Sequence, residues 1–174
     1  MKTNEKKIIE VLIFASPEPI QSKLLAEVAD IPKDQVSEVV GQLNSDYERT
    51  GRTFRIKKLA GGYTLYTLPD FSKFLEQAFP EKNYPHLTRS MIEVLAVIAM
   101  EQPVTKKYIE KIRGTDCAQQ IRQLMKLGFI TPVSRMNTPG RPYLLGTTKS
   151  FLKHFGLSRI EDIPTISELK ELLD

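Results

Sequence analysis

Residues 54–68 read Phe54-Arg55-Ile56-Lys57-Lys58-Leu59-Ala60-Gly61-Gly62-Tyr63-Thr64-Leu65-Tyr66-Thr67-Leu68. Phe54 to Leu59 partly alternates apolar and basic side chains, the pattern of a strand with one face buried. Gly61-Gly62 supplies a turn, and Tyr63 to Leu68 is rich in the residues that suit a return strand. Upstream of this hairpin, apolar residues recur at three- and four-residue spacing in three runs. Ile8, Ile9, Leu12, Ile13 and Ala15 line one helical face over residues 5–15. Leu24, Leu25 and Val28 line a second over 22–29, with Ser22 as its cap. Val36, Val39, Val40, Leu43 and Tyr47 line a third over 34–47. Ser16-Pro17-Glu18-Pro19 and Ile31-Pro32 separate them, because proline lacks an amide donor and disfavours helix before it. A further helix is predicted over 71–79.

The same order recurs downstream. Thr88 caps a helix through Met100 with Met91, Val94, Leu95, Val97 and Ile98 as its core side, and Glu101-Gln102-Pro103-Val104 stops it. Thr105 caps a short helix ending at Arg113-Gly114. A third helix starts at Asp116 or Cys117, turns Ile121, Leu124 and Met125 inward, and ends at Gly128. Residues 129–133 form a strand, Pro139-Gly140-Arg141-Pro142 a turn, Tyr143 to Thr148 a return strand, and 150–155 a short helix. Glu18-Pro19-Ile20 answers Glu101-Gln102-Pro103-Val104, and Gly62-Tyr63 answers Gly140-Arg141-Pro142-Tyr143.

Three helices closed by a hairpin is the winged helix-turn-helix plan. The predicted fold class is therefore mostly α with small β-hairpins (α+β), as two tandem winged helix-turn-helix domains. Residues 1–80 form the first, 81–88 a linker and 89–157 the second, leaving a tail over 158–174. In that tail Ile166, Leu169, Leu172 and Leu173 are spaced for a short amphipathic helix.

The 174 residues are 41% hydrophobic and 26% charged, the composition of a globular chain and not of a disordered one. The single cysteine, Cys117, excludes an internal disulfide and every cysteine-based zinc motif. His86 and His154 lie far from it, so no metal and no cofactor is expected. No run of ~18 apolar residues is present to span a membrane, and Glu10 interrupts any signal-peptide core. A cytoplasmic protein is expected. The net charge of +4 is unevenly placed: residues 1–85 are neutral, 86–155 carry 11 basic against 4 acidic groups, and 156–174 are net −3.

A basic half suits nucleic acid or an acidic partner. In DNA-binding winged helices the third helix enters the major groove. The first copy suits this poorly, since Asp34, Glu38, Asp46 and Glu48 outweigh Lys33 and Arg49 there. Its hairpin is basic through Arg52, Arg55, Lys57 and Lys58, but a wing alone makes few phosphate contacts. In the second copy Lys106, Lys107 and Arg122 are candidate nucleic-acid contacts, and Gln119, Gln120 and Gln123 have the chemistry to read base edges. A solvated helical face explains the same residues. No catalytic constellation is present: Cys117 has no adjacent histidine, and neither histidine has a carboxylate beside it. Arg141, at a rigid projecting turn between Gly140 and Pro142, is a candidate contact anchor.

The chain resembles the bacterial segregation and condensation protein B family. The resemblance runs through Leu87 to Thr105 with its Gln-Pro-Val-Thr turn, Ile112-Arg113-Gly114, Gly140-Arg141-Pro142, Gly146-Thr147-Thr148, and Phe151 to Leu157 with Asp162-Ile163-Pro164. In the first half, Ala15 to Ile20 and Gly61-Gly62-Tyr63 also match. Met100, Glu101 and Thr115 depart from the pattern, standing where an aromatic, a basic and an aliphatic residue are common. The resemblance implies a non-catalytic subunit, a homodimer, that binds the kleisin subunit, segregation and condensation protein A. Through the kleisin it meets the SMC ATPase in a condensin-like complex for chromosome condensation and partition at cell division, associated with the nucleoid. It implies dimerisation through the first domain and partner binding through the second, with Arg113, Gly114, Gly140, Arg141 and Pro142 as the motif positions, and weak or indirect DNA contact. The alternative on the residues alone is a tandem winged-helix DNA-binding transcriptional regulator.

Overall fold

The computed structural model describes residues 3–79 and 86–163. Most of the linker expected over 81–88, and the helix expected within the tail, lie outside the described residues. The chain divides into two compact units.

The first unit runs α1 (Thr3–Ala15), α2 (Ser22–Ala29), α3 (Gln35–Arg49), β1 (Phe54–Leu59), β2 (Gly62–Thr67), a 3-10 turn (Pro69–Phe71) and α4 (Ser72–Ala78). The hairpin is antiparallel, pairing Ile56 with Leu65 and Leu59 with Gly62. Ile9, Ile13, Leu25, Val36, Val39, Leu43, Tyr47, Ile56 and Tyr63 form the core, each fully buried aliphatic side chain contributing about 1.5–3 kcal/mol. Asn44 binds α3 to β1 by accepting the Ile56 N–H at 2.8 Å and donating to the Ile56 carbonyl at 2.9 Å. Three expectations fail here. Leu24 and Val28 are half exposed, and α2 buries Leu25, Ala26 and Ala29 instead. The two alanines let the α2 backbone approach its neighbours more closely than Leu24 and Val28 would. Ala15 is exposed, because it ends α1 where the chain turns away. Ser22 is the first helical residue, and the cap position is Gln21, whose side chain makes no cap bond.

The second unit repeats the plan with α5 (Arg89–Glu101), β3 (Val104–Thr105), α6 (Lys106–Arg113), α7 (Ala118–Lys126), β4 (Ile130–Arg135), β5 (Tyr143–Thr147), α8 (Lys149–Phe155) and a 3-10 turn (Ile160–Asp162). Its sheet has the order β3-β5-β4. Thr88 and Thr105 cap their helices as expected, accepting from the Met91 and Tyr108 N–H groups. Thr148 leaves the predicted return strand to cap α8. A register shift sits between Pro132 and Ser134, beside a proline that cannot donate to the ladder. The core holds Met91, Val94, Leu95, Ile98, Ile109, Cys117, Leu124, Phe129, Leu145 and Phe151. Met125 is 39% exposed and Val97 only partly buried, so both leave the predicted core.

Candidate functional site

The motif residues of the first unit meet at one joint. Ile20 and Tyr63 exchange backbone hydrogen bonds of 2.9 and 2.8 Å, tying the chain after α1 to the start of β2. Gly62 lies against this crossing: a Cβ there would be 2.6 Å from the Pro19 carbonyl carbon. Only glycine admits such an approach.

An equivalent joint closes the second unit. Val104 and Thr105 pair with Leu145 and Leu144. Beside them, Gln102 Oε1 accepts from the Thr147 N–H at 2.7 Å and from Thr147 Oγ1 at 3.1 Å. A Cβ on Gly146 would be 3.0 Å from that same oxygen. The Thr148 hydroxyl donates to the Gly128 carbonyl. The predicted match of Glu18-Pro19-Ile20 to Glu101-Gln102-Pro103-Val104 therefore ends, in both units, in a residue that pairs with the return strand, Ile20 with Tyr63 and Val104 with Leu145. The predicted match of Tyr63 to Tyr143 is displaced by two residues, because Leu145 makes the corresponding pairing across a longer second hairpin.

Arg113 is turned inward, its side chain 10% exposed. Its Nη2 donates to Ser90 Oγ at 2.8 Å and to Glu93 Oε2 at 3.0 Å. Nε and Nη1 are buried with no partner. Gln120 also donates to Ser90 Oγ, at 3.0 Å, so one hydroxyl on α5 gathers a side chain from α6 and another from α7. Gly114 adopts a left-handed φ of 71° and caps α6. Arg113 and Gly114 thus position helices within the unit. Ser90 and Glu93 lie within the Leu87–Thr105 stretch and Gln120 enters only as a candidate for base edges; nothing in the sequence points to their meeting around Arg113.

The residues considered for nucleic acid are divided. Lys106 is held by Asp116 Oδ1 at 2.9 Å and Glu110 Oε1 at 3.1 Å, which raise its pKa. The Lys106 ammonium in turn is the main cause holding the Asp116 carboxyl down at about 2. Lys107 and Arg122 are exposed, as are Gln119 and Gln123, while Gln120 is engaged with Ser90. Gln120 and Lys106 are thus engaged within the unit, while Lys107 and Arg122 stay exposed.

A side-chain pair joins the two strands of the second wing. Arg135 stacks over Tyr143 at 3.9 Å from the ring centre and bonds its hydroxyl, locking the two strands. At the tip Gly140 and Arg141 have φ of 83° and 39°, the Arg141 N–H bonds the Thr138 carbonyl at 2.9 Å, and Arg141 and Pro142 are exposed. Arg113 and Arg141 therefore occupy different settings, one packed between helices and one at a loop tip. Cys117 is fully buried, and burial pushes its thiol pKa up. His154 packs its ring 4.8 Å from Phe129. Among the described residues no side chains cluster in a way that would hold a metal ion, and no helix is long and apolar enough to cross a membrane.

Two hairpin-closed three-helix units in one chain, each braced at the same joint, place the protein among tandem winged-helix proteins. Within that class, the family described as segregation and condensation complex subunit ScpB matches residues 7–166, and the chain belongs to it. The chain is 37% identical over 167 residues to segregation and condensation protein B of Syntrophotalea carbinolica, covering 96% of this chain and 84% of that one. It is 37% identical over 161 residues to segregation and condensation protein B of Symbiobacterium thermophilum, covering 92% and 73%. A solved structure, the dimer of the ScpB N-terminal domain complexed with ScpA peptide, is 26% identical, covers 42% of this chain and 91% of that chain, and has a TM-score of 0.39.

Proposed function

We propose that the chain is a non-catalytic, homodimeric subunit of an SMC–kleisin complex acting in chromosome condensation and partition. In this reading it binds the kleisin, segregation and condensation protein A, and through it the SMC ATPase. The observation that carries the reading is the family match over residues 7–166, which takes in both units. The protein works in the cytoplasm and reaches the nucleoid through the complex. Residues 1–80 pair with their own copy: that unit has no net charge to repel a second copy, and Phe14, Phe74 and Leu75 are apolar and exposed on it. Residues 89–157 meet the partner. Gly140, Arg141 and Pro142 supply a fixed, exposed contact at the wing tip, and Arg113 and Gly114 hold the helices behind it in place. DNA contact is weak or indirect, in keeping with the neutralised Lys106 and the engaged Gln120.

Size-exclusion chromatography with light scattering, run with and without purified kleisin, tests this. The expected result is a dimer that shifts to a stoichiometric complex. A monomer that forms no complex would overturn the reading. Arg141→Ala should weaken the complex and leave the dimer mass unchanged.

A further inference from the structure

The second unit carries an apolar stripe on its solvent side that the fold does not use. On α5, Ile92, Ala96 and Met100 follow one another at four-residue spacing, all exposed, with Ile92 at 51% and Met100 at 56%. On α6, Tyr108 and Ile112 have the same spacing and are 39% and 57% exposed. The Tyr108 hydroxyl bonds Glu101 at 3.3 Å at one end, and Arg113 bonds Glu93 at the other. These two contacts set α6 antiparallel to α5. Singly exposed apolar residues are ordinary on a protein surface, but here five lie along two bonded helices, with the Arg89–Glu93 ion pair standing beside Ile92 and with Met100, Tyr108 and Ile112 marking the more apolar part. At a 1.5 Å rise per residue the α5 stripe is about 12 Å long, the span of two turns of a docked helix.

The flank of this strip carries charge. Lys107 and Lys111, one turn apart on α6, are exposed and form no ion pair among the described residues. Their neighbour Lys106 is instead neutralised by Glu110 and Asp116. The free cations thus lie on the side of α6 next to Tyr108 and Ile112.

We infer that the α5–α6 face docks an amphipathic helix of a protein partner, its apolar side on Ile92, Met100, Tyr108 and Ile112 and its carboxylates toward Lys107 and Lys111. This rests on the reading of the chain as a kleisin-binding subunit and names the surface that such a partner would use. An acidic amphipathic helix satisfies both halves of the surface; a second copy would set Lys107 and Lys111 near their own like charges. DNA has no apolar side to cover the stripe.

The test is calorimetric titration of purified full-length kleisin into the full chain at several salt concentrations, with circular dichroism and light scattering on every variant. Met100→Asp and Ile112→Asp should weaken binding by about ten-fold or more, the loss of an apolar anchor. Lys107→Glu with Lys111→Glu, surface changes that leave the helix intact, should weaken binding less and flatten its salt dependence. All variants should keep the wild-type helix content and dimer mass. Wild-type-like affinity in the aspartate variants would overturn the inference while leaving the functional reading intact. Loss of the dimer in those variants would also overturn it, assigning the face to a second copy. If the wild-type chain takes up no kleisin, the functional reading fails and the inference with it.

Discussion

Gly62→Ala is expected to unfold the first unit's joint while changing almost nothing else. The added Cβ would sit 2.6 Å from the Pro19 carbonyl carbon, 2.7 Å from its oxygen and 2.9 Å from the Ile20 nitrogen. All three are backbone atoms, so no change of rotamer relieves the contact. The Pro19-Ile20 segment must move away from β2, and the paired Ile20–Tyr63 hydrogen bonds lengthen with it. Overpacking of this kind costs about 1–3 kcal/mol, and each weakened hydrogen bond costs about 0.5–1.5 kcal/mol. With only part of the second term lost, destabilisation is about 2–4 kcal/mol, which lowers Tm by roughly 10–25 °C for a small unit. Gly61→Ala is the control. Gly61 has a φ of 79° and nothing within 4 Å of its would-be Cβ, so that change costs only the left-handed penalty of about 1–2 kcal/mol. Thermal unfolding followed by circular dichroism, with hydrogen exchange at the Ile20 and Tyr63 amides, separates the two. If Gly62→Ala were as stable as Gly61→Ala, the steric account of this joint would be wrong.

Other perturbations report on the second unit and on charge. Arg113→Ala should cost the second unit about 2–3 kcal/mol, less than the ~3–5 kcal/mol of a fully buried pair because Glu93 faces solvent; denaturant unfolding measures it, and wild-type stability with lost partner binding would instead make Arg113 a contact. Acid should weaken both units by removing ion pairs. Asp46 is held below its ordinary 3.8 chiefly by Lys6 and then Arg49, and Asp116 is held at about 2 chiefly by Lys106. A folded pKa below the unfolded one means stability that is present above about 4 and lost as pH falls through the folded pKa, about 2 for Asp116, so Asp46→Asn and Asp116→Asn should flatten the acid limb of a pH–stability curve; variants with the wild-type limb would rule these pairs out as its source. The buried Cys117 thiol, with its pKa raised by burial, should react with a disulfide reagent only as the second unit opens, and a rate equal to that of an exposed thiol would contradict its burial.

The order of elements was legible because prolines and glycines punctuate it and because α1, α3 and α5 are long enough for periodicity to mark a buried side. The eight-residue α2 was not. In a helix that short, Leu24-Leu25-Val28 and Leu25-Ala26-Ala29 are both consistent with helical spacing. Hydrophobicity favours the first set, and the close approach that alanine permits favours the second, a tertiary effect that no local pattern carries. The two-residue displacement from Tyr143 to Leu145 as the counterpart of Tyr63 has the same origin, since hairpin length decides which residue faces the incoming strand.

The motif letters were legible as well, but what they mark is mostly joints. Gly62 accommodates Pro19, Gln102 binds Thr147, Thr148 caps α8, and Arg113 gathers α5 and α6 through Ser90 and Glu93. Residues fixed by such contacts have little freedom left to select a partner. Selection then falls to positions the fold leaves unconstrained, and these are the ones a pattern search discards. Ile92, Met100 and Ile112 break the polar side expected of a surface helix, and Met100 is itself a departure from the family pattern. A change there leaves the core intact and alters only what the surface can hold. On the inference above, partner contact falls to the α5–α6 face, while joints such as Arg113 with Ser90 and Glu93 keep that face in shape.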